Sequence, residues 1–417
     1  MVDEEKISAL LQQEVENINP SSELWMHIRK QTAGKRSIGW AIFSRKFAAA
    51  CLVILVISGI FLTNTSAIAN YLGPKLFWIF GNRTILNSPD GENWAVVNPD
   101  SQPVKPQGMT AQFLDSTTAW VAEAKKDGSI NLLHTTNGGL SWGSTNIPNM
   151  SNSPIVYSLS IDFVDSQNGW LMEELEHSMN SSAALLLRTK NGGKTWSKIA
   201  TTNGQPSGLP FAGPIKFLNN STGWIVGNRI STVNRLLFFT NDGGLTWQNQ
   251  VPAAPANLLE TGTIDFNQPP TFFSFEQGVL SATFVPNSHL AKDYGTVIFS
   301  TSDGGVTWSY NNYFRLGSLT SFVSPKVGWM WVREPRDTGS TTPVKGKIYL
   351  TNDGGKSWSS VVPDSTLQAS LEKGKDIVEM KFVTDQFGWL MLSSENDQSP
   401  RFLVTNDGGH SWKTVNP

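Results

Sequence analysis

One octapeptide recurs along this 417-residue chain, and it constrains the fold more than any other feature. It reads TTNGGLSW (Thr135–Trp142), TKNGGKTW (Thr189–Trp196), TNDGGLTW (Thr240–Trp247), TSDGGVTW (Thr301–Trp308), TNDGGKSW (Thr351–Trp358) and TNDGGHSW (Thr405–Trp412). A shorter seventh copy, SPDGENW, spans Ser88–Trp94. Asn/Asp-Gly and Gly-Gly supply the positive φ angles of a tight hairpin. The tryptophans recur at intervals of 48 to 61 residues, and a period near fifty is that of a four-stranded propeller blade. The pattern gives each residue a local task. Thr and the acidic or amide residue (Asp90, Asn137, Asn191, Asp242, Asp303, Asp353, Asp407) accept turn amides. The glycines take left-handed backbone, and Trp94, Trp142, Trp196, Trp247, Trp308, Trp358 and Trp412 pack between blades.

A second motif precedes each full octapeptide. It reads AQFLDSTTAW (Ala111–Trp120), IDFVDSQNGW (Ile161–Trp170), IKFLNNSTGW (Ile215–Trp224), TSFVSPKVGW (Thr320–Trp329) and MKFVTDQFGW (Met380–Trp389). The fourth unit is degenerate, TFFSFEQGVL, with Val279 in place of Trp. Each unit reads as an apolar strand around Phe, a polar turn, a strand starting at Trp, a third apolar strand and a fourth strand after the octapeptide. The expectation is an all-β, seven-bladed β-propeller over 76–417 whose first blade lacks a recognisable innermost strand. Six blades plus a hairpin is the alternative. The two motifs absorb twelve of the 16 tryptophans.

No charge occurs from Phe47 to Pro74, whereas Lys30, Lys35, Arg36, Arg45 and Lys46 lie just before. Residues 47–66 therefore read as a transmembrane signal anchor, with the leader 1–46 cytoplasmic, 67–75 a linker and the propeller extracytoplasmic. Ala67-Ile68-Ala69 offers the alternative of cleavage after Ala69, but a 46-residue leader is long for a signal peptide. The one cysteine, Cys51, falls in the apolar stretch, so no intrachain disulfide is available. In the leader, Ile7, Leu10, Leu11 and Val15 share one helical face, and Ser22 can cap a second helix. Two short helices before an anchor resemble the cytoplasmic ends of bacterial membrane-bound anti-sigma factors. That resemblance implies a cytoplasmic partner for 1–46 and a sensor role.

The octapeptide turns and the turns between first and second strands should share one face and be short. The opposite face then holds the long connections, where function concentrates on rigid scaffolds. Two clusters there are candidate ligand sites: Glu173, Glu174, Glu176 and His177, and Arg333, Glu334, Arg336 and Asp337. A net charge of −2 and the lack of a long basic stretch exclude a nucleic-acid partner. His27, His134, His177, His289 and His410 are scattered without ligand spacing, so no metal or other cofactor is expected.

The octapeptide is identified as the Asp-box, or BNR repeat. Sialidases are similar in these boxes, which implies a glycoside hydrolase as one reading. Their arginine triad has no matching pattern here, and no catalytic set is assigned. The paired pattern of Phe strand, Gly-Trp and Thr-Asn-Asp-Gly-Gly-x-Ser/Thr-Trp more closely resembles the photosystem II stability/assembly factor family. That resemblance implies a non-catalytic propeller that binds an envelope protein or glycan.

Overall fold

The chain divides into two compact units, Met1–Thr65 and Ser66–Pro417. A computed structural model describes 77–81, 84–88, 94–97, 108–151, 153–178, 181–201, 212–228, 235–334, 345–362, 364–373, 375–393 and 401–415, all in the second unit. The expected leader, membrane span and linker lie outside the described residues. Among the described residues no helix is long and apolar enough to cross a membrane.

The repeat folds as six antiparallel sheets, each paired in sequence order. From inner to outer strand, blade 1 holds Met109–Phe113, Ala119–Ala124, Ile130–Thr135 and Gly143–Ile147. Blade 2 holds Ser158–Phe163, Gly169–Ser178, Ser181–Thr189 and Ser197–Thr201. Blade 3 holds Ile215–Phe217, Gly223–Asn228, Arg235–Thr240 and Gln248–Gln250. The inner strand of blade 4 is split into Gly262–Asp265 and Thr271–Phe272, followed by Gly278–Pro286, Gly295–Thr301 and Ser309–Arg315. Blade 5 holds Gly317–Phe322, Gly328–Arg333, Gly346–Thr351 and Ser359–Val361. Blade 6 holds Asp376–Phe382, Gly388–Ser393, Arg401–Thr405 and Lys413–Thr414.

Among the described residues the architecture is thus a β-propeller with six complete blades, where seven were expected. The N-terminal piece forms a three-stranded sheet, Phe77–Gly81, Thr84–Ser88 and Ala95–Val96. Its Ile79, Leu86 and Trp94 pack with Phe387, Trp389 and Phe402 of blade 6. Its Ile85 packs with Ala119, Val121 and Leu133 of blade 1. The short sheet therefore joins the last blade to the first.

The core is distributed over the seams between sheets. Separate buried clusters join blades 1 and 2, 2 and 3, 3 and 4, 4 and 5, and 5 and 6. At most seams the tryptophan that begins a second strand lies flat on the repeated Phe of the next blade. Trp120–Phe163, Trp170–Phe217 and Trp329–Phe382 have ring centroids 3.8, 3.8 and 3.7 Å apart. The octapeptide Trp then meets that Phe edge-on, as Trp247 meets Phe217 at 6.2 Å. The Gly before the strand-two Trp has a steric cause. A Cβ on Gly169 would stand 2.6 Å from the Phe163 ring, too close for any real contact.

Candidate functional site: two faces and a polar channel

The octapeptide turns satisfy themselves. In blade 3, the Thr240 hydroxyl donates to Asp242 Oδ1 (2.8 Å) and accepts from Gly244 N (3.0 Å). Asp242 also accepts from the amide and hydroxyl of Thr246. Trp247 Nε1 donates to Gly244 O at 3.0 Å. Gly243, at φ +77°, donates its N–H to Ser221 O in the neighbouring first turn, and the same bond recurs in all six blades. That bond places both short turns on one face, as expected. The hydroxyl and amide of Ser357 hold Asp353 down to about 2, outweighing its slight desolvation. For Asp407, desolvation is outweighed by the Ser411 and Thr405 hydrogen bonds, and the carboxyl again falls to about 2. These carboxylates are ionised and already occupied by turn donors. Asp90, in the short seventh copy, lies outside the described residues.

Of the two candidate clusters, the first was read as a loop and the second is described only at Arg333 and Glu334. The stretch holding Glu173, Glu174, Glu176 and His177 is not a loop but the second strand of blade 2, paired through to Ser178. Strand alternation turns Glu173 to the same side as Leu171, which packs against blade 1. Glu173 is 1% exposed, and its Oε2 has no hydrogen-bond partner among the described residues. Burial pushes its pKa up to about 7, against the opposing charge of Lys198. Glu174 points the other way and accepts from the Ser158 hydroxyl. Glu176 and His177 pair through their backbones with Ala183 and Ser182.

In the second cluster, Arg333 turns away from Glu334 and binds Asp376 Oδ2 at 3.0 Å. Arg333 ends the second strand of blade 5 and Asp376 begins the inner strand of blade 6, so the pair bridges their seam. Glu334 is exposed, with its amide bonded to Lys345 O. Arg336 and Asp337 lie outside the described residues.

Two of the long connections carry helices. Ala256–Thr261 precedes blade 4. Ser365–Glu372 precedes blade 6, with Asp364 capping the amides of Thr366 and Leu367. The other Asp364 oxygen accepts from Trp412 N at 2.9 Å, and Leu367 and Leu371 are buried in the seam of blades 5 and 6. That connection is packed rather than open.

The inner strands bring together a set that sequence reading missed. The residue just before each repeated Phe is Gln112, Asp162, Lys216, Thr271, Ser321 or Lys381. Where these side chains bond, they reach a neighbouring inner strand. Gln112 accepts from Phe163 N, Asp162 from Phe217 N and Ser321 from Phe382 N. Gln112 Nε2 also donates to Asp162 Oδ1 at 3.0 Å, and Lys216 Nζ binds the same oxygen at 2.8 Å. Burial raises the Asp162 pKa, with Lys216 and the Phe217 amide pulling it back. Lys381 is solvent-exposed and carries no hydrogen bond or ion pair among the described residues. The surrounding channel wall lowers its pKa by desolvation; Glu379 counteracts this, and Lys216 adds to it. The signal available in the sequence was the one-residue offset from Phe, since alternate strand residues face opposite ways.

None of the described arginines lies on an innermost strand. Arg188 sits 4.8 Å over the Trp170 ring and bonds Asn220 O, and Arg315 pairs with Asp293. The arginine cluster of the sialidase reading is not assembled among the described residues. Nor do those residues hold a group of three or more His, Cys, Asp or Glu placed for a metal ion.

Repeated sheets, seam-filling aromatics and self-satisfied turns define the class as a β-propeller, and no family model matches the chain. In sequence it is similar to the photosystem II assembly lipoprotein Ycf48 of Synechococcus sp. (strain CC9902). The two are 23% identical over 285 residues, 67% of this chain and 68% of that protein. The resemblance to the photosystem II assembly factors therefore holds. Among solved structures, Ycf48 bound to D1 peptide has 19% identity and a TM-score of 0.42, covering 76% of this chain and 86% of that one. An oligogalacturonate lyase from Vibrio parahaemolyticus has 12% identity and a TM-score of 0.48, covering 79% and 85%. Both likenesses concern the fold alone.

Proposed function

We propose that this protein is a membrane-anchored, extracytoplasmic propeller that binds a protein partner and holds it during assembly, without catalysis. One observation carries the reading: the motifs that repeat are consumed in building seams and turns, leaving the irregular connection face for recognition. The similarity to an assembly lipoprotein supports it. A protein partner fits better than a glycan, because the seam tryptophans that would stack on sugars are buried. The charge-free stretch 47–66 and the cations before it support the anchor and the outward orientation.

The test is photo-crosslinking of the full chain in intact membranes, followed by solubilisation and capture. A specific envelope protein should be recovered, and Arg333→Ala together with Glu334→Ala should reduce its yield several-fold. Recovery of no protein above background, or unchanged yield with that variant, overturns the reading. Protease added outside intact cells should reach the propeller and spare 1–46; the reverse pattern overturns the orientation.

A further inference from the structure

The residues that precede the repeated Phe share one register on their inner strands, and in blades 1 to 3 they follow a rule. Each accepts the amide of the next blade's Phe and also binds the matching residue of that blade. Gln112 accepts from Phe163 N and donates to Asp162 Oδ1. Asp162 in turn accepts from Phe217 N and holds Lys216 Nζ at 2.8 Å. Amide, carboxylate and ammonium form one chain in which the buried carboxylate has its counter-charge.

Blades 5 and 6 start the same arrangement with a different acceptor. Ser321 accepts from Phe382 N at 2.8 Å, as Asp162 does from Phe217 N. Lys381 therefore stands to Ser321 as Lys216 stands to Asp162. Serine carries a hydroxyl on the Cβ where aspartate carries a carboxylate. The Ser321 oxygen takes the Phe382 amide, and its O–H is left to donate. Lys381 is exposed to solvent, with no hydrogen bond or ion pair among the described residues.

The neighbouring charges do not replace that carboxylate. Glu379 lies two residues earlier on the same side of the strand and attracts Lys381, yet the two form no ion pair. Burial raises the Glu379 pKa against the pull of Lys381, which weakens it as a standing counter-charge. Lys216 adds a second positive charge to this part of the channel, and Asp162 is already committed to Lys216.

We propose that the channel binds a small carboxylate anion between Lys381 and Ser321, in the place that the Asp162 carboxylate takes beside Lys216. The ammonium and the hydroxyl both donate, and an ionised acceptor makes such bonds short and strong. Lys381 is the penultimate residue of its strand, next to the short turn, so a short acid reaches it from that mouth of the channel. The site lies away from the connection face and is independent of the partner-binding reading.

Titration of the solubilised full chain with isotope-labelled acetate, followed by NMR, tests this. Acetate should bind saturably. Lys381→Met should weaken binding at least ~10-fold, and Ser321→Asp, which supplies the carboxylate covalently, should do so at least as much. Lys356→Met, on an octapeptide turn, should leave the affinity unchanged. Ser321→Asp should also slow acylation of the Lys381 amine by a neutral reagent, read by peptide mass spectrometry, as saturating acetate does in the wild type. Absence of saturable binding overturns the proposal, as does an affinity that Lys381→Met or Ser321→Asp leaves unchanged. Loss of acetate binding in Ser321→Asp without slower acylation of Lys381 overturns it too, because the new carboxylate then has not taken the proposed place.

Discussion

The seam between blades 2 and 3 and the seam between blades 4 and 5 solve one problem with different residues. In the first, Trp170 covers Phe217 and donates its indole N–H to the buried Gly243 carbonyl at 2.9 Å. In the second, Val279 stands in the tryptophan's place, and the corresponding carbonyl of Gly354 is bonded at 2.8 Å by Asn311 from the outer strand of blade 4. The seam of blades 3 and 4 lies between these extremes. There Gln250 accepts from Trp224 Nε1 at 3.0 Å and passes a hydrogen bond to Gly305 O at 2.7 Å. What a seam requires is therefore apolar filling and a donor for the turn carbonyl. Tryptophan provides both in one side chain; elsewhere the tasks are divided.

The comparison breaks most sharply at Trp170. Trp170→Ala should cost about 3–5 kcal/mol, as large aromatic truncations in packed cores do. Trp170→Phe keeps much of the filling and orphans the carbonyl, so its cost should be nearer 1–3 kcal/mol. The difference between their urea midpoints separates filling from donation. Equal losses would show that the two tasks are not separable.

Glu173 provides the next largest effect, at the seam of blades 1 and 2. Its pKa rises from 4.5 to about 7 on folding, so the folded chain holds this proton more tightly than the unfolded one. The associated stability is fully present below pH 4.5 and is lost as pH rises through about 7, by about 3 kcal/mol at most. Unfolding midpoints at pH 5 and pH 8 should differ accordingly. Glu173→Gln should remove that difference and be the more stable protein at pH 8. A wild-type slope that persists in the variant would assign it to other groups.

At the seam of blades 4 and 5, Asn311→Ala should cost about 1–2 kcal/mol by leaving the Gly354 carbonyl without its donor. Val279→Ala removes less buried volume than Trp170→Ala and should cost correspondingly less. If Asn311→Ala proves silent, water replaces the amide, and the divided solution is looser than the tryptophan one.

The repeat was legible because it is written at fixed offsets: the six full octapeptides, the Phe strands and the strand-two tryptophans all stand where they were read. The replacements were not. Asn311 and Gln250 lie on outer strands, where nothing in the local pattern distinguishes a carbonyl's donor from a surface amide. The surroundings of the candidate residues were less legible. Charged residues between strand signals read as loop, yet Glu173 belongs to an unusually long strand and is buried by alternation. Arg333 is spent on Asp376, a partner 43 positions away that no local pattern connects to it. The channel residues were the readable part that went unread, one place before each Phe.

The smallest expected effect bears most directly on function. Arg333 is 42% exposed on its side chain and Asp376 20%, so their pair at the seam of blades 5 and 6 is well screened by water. Trp329 already covers Phe382 there at 3.7 Å and donates to Gly408 O at 2.9 Å. A seam with its filling and donor in place should need little from an ion pair on its rim. Arg333→Ala should then shift stability by less than about 1 kcal/mol, and by still less in high salt. A loss as large as that of Asn311→Ala would make Arg333 part of the seam and remove it from the recognition surface. A near-silent variant in the unfolding measurement that still lowers partner capture would assign the guanidinium to the partner, with Asp376 holding it in place.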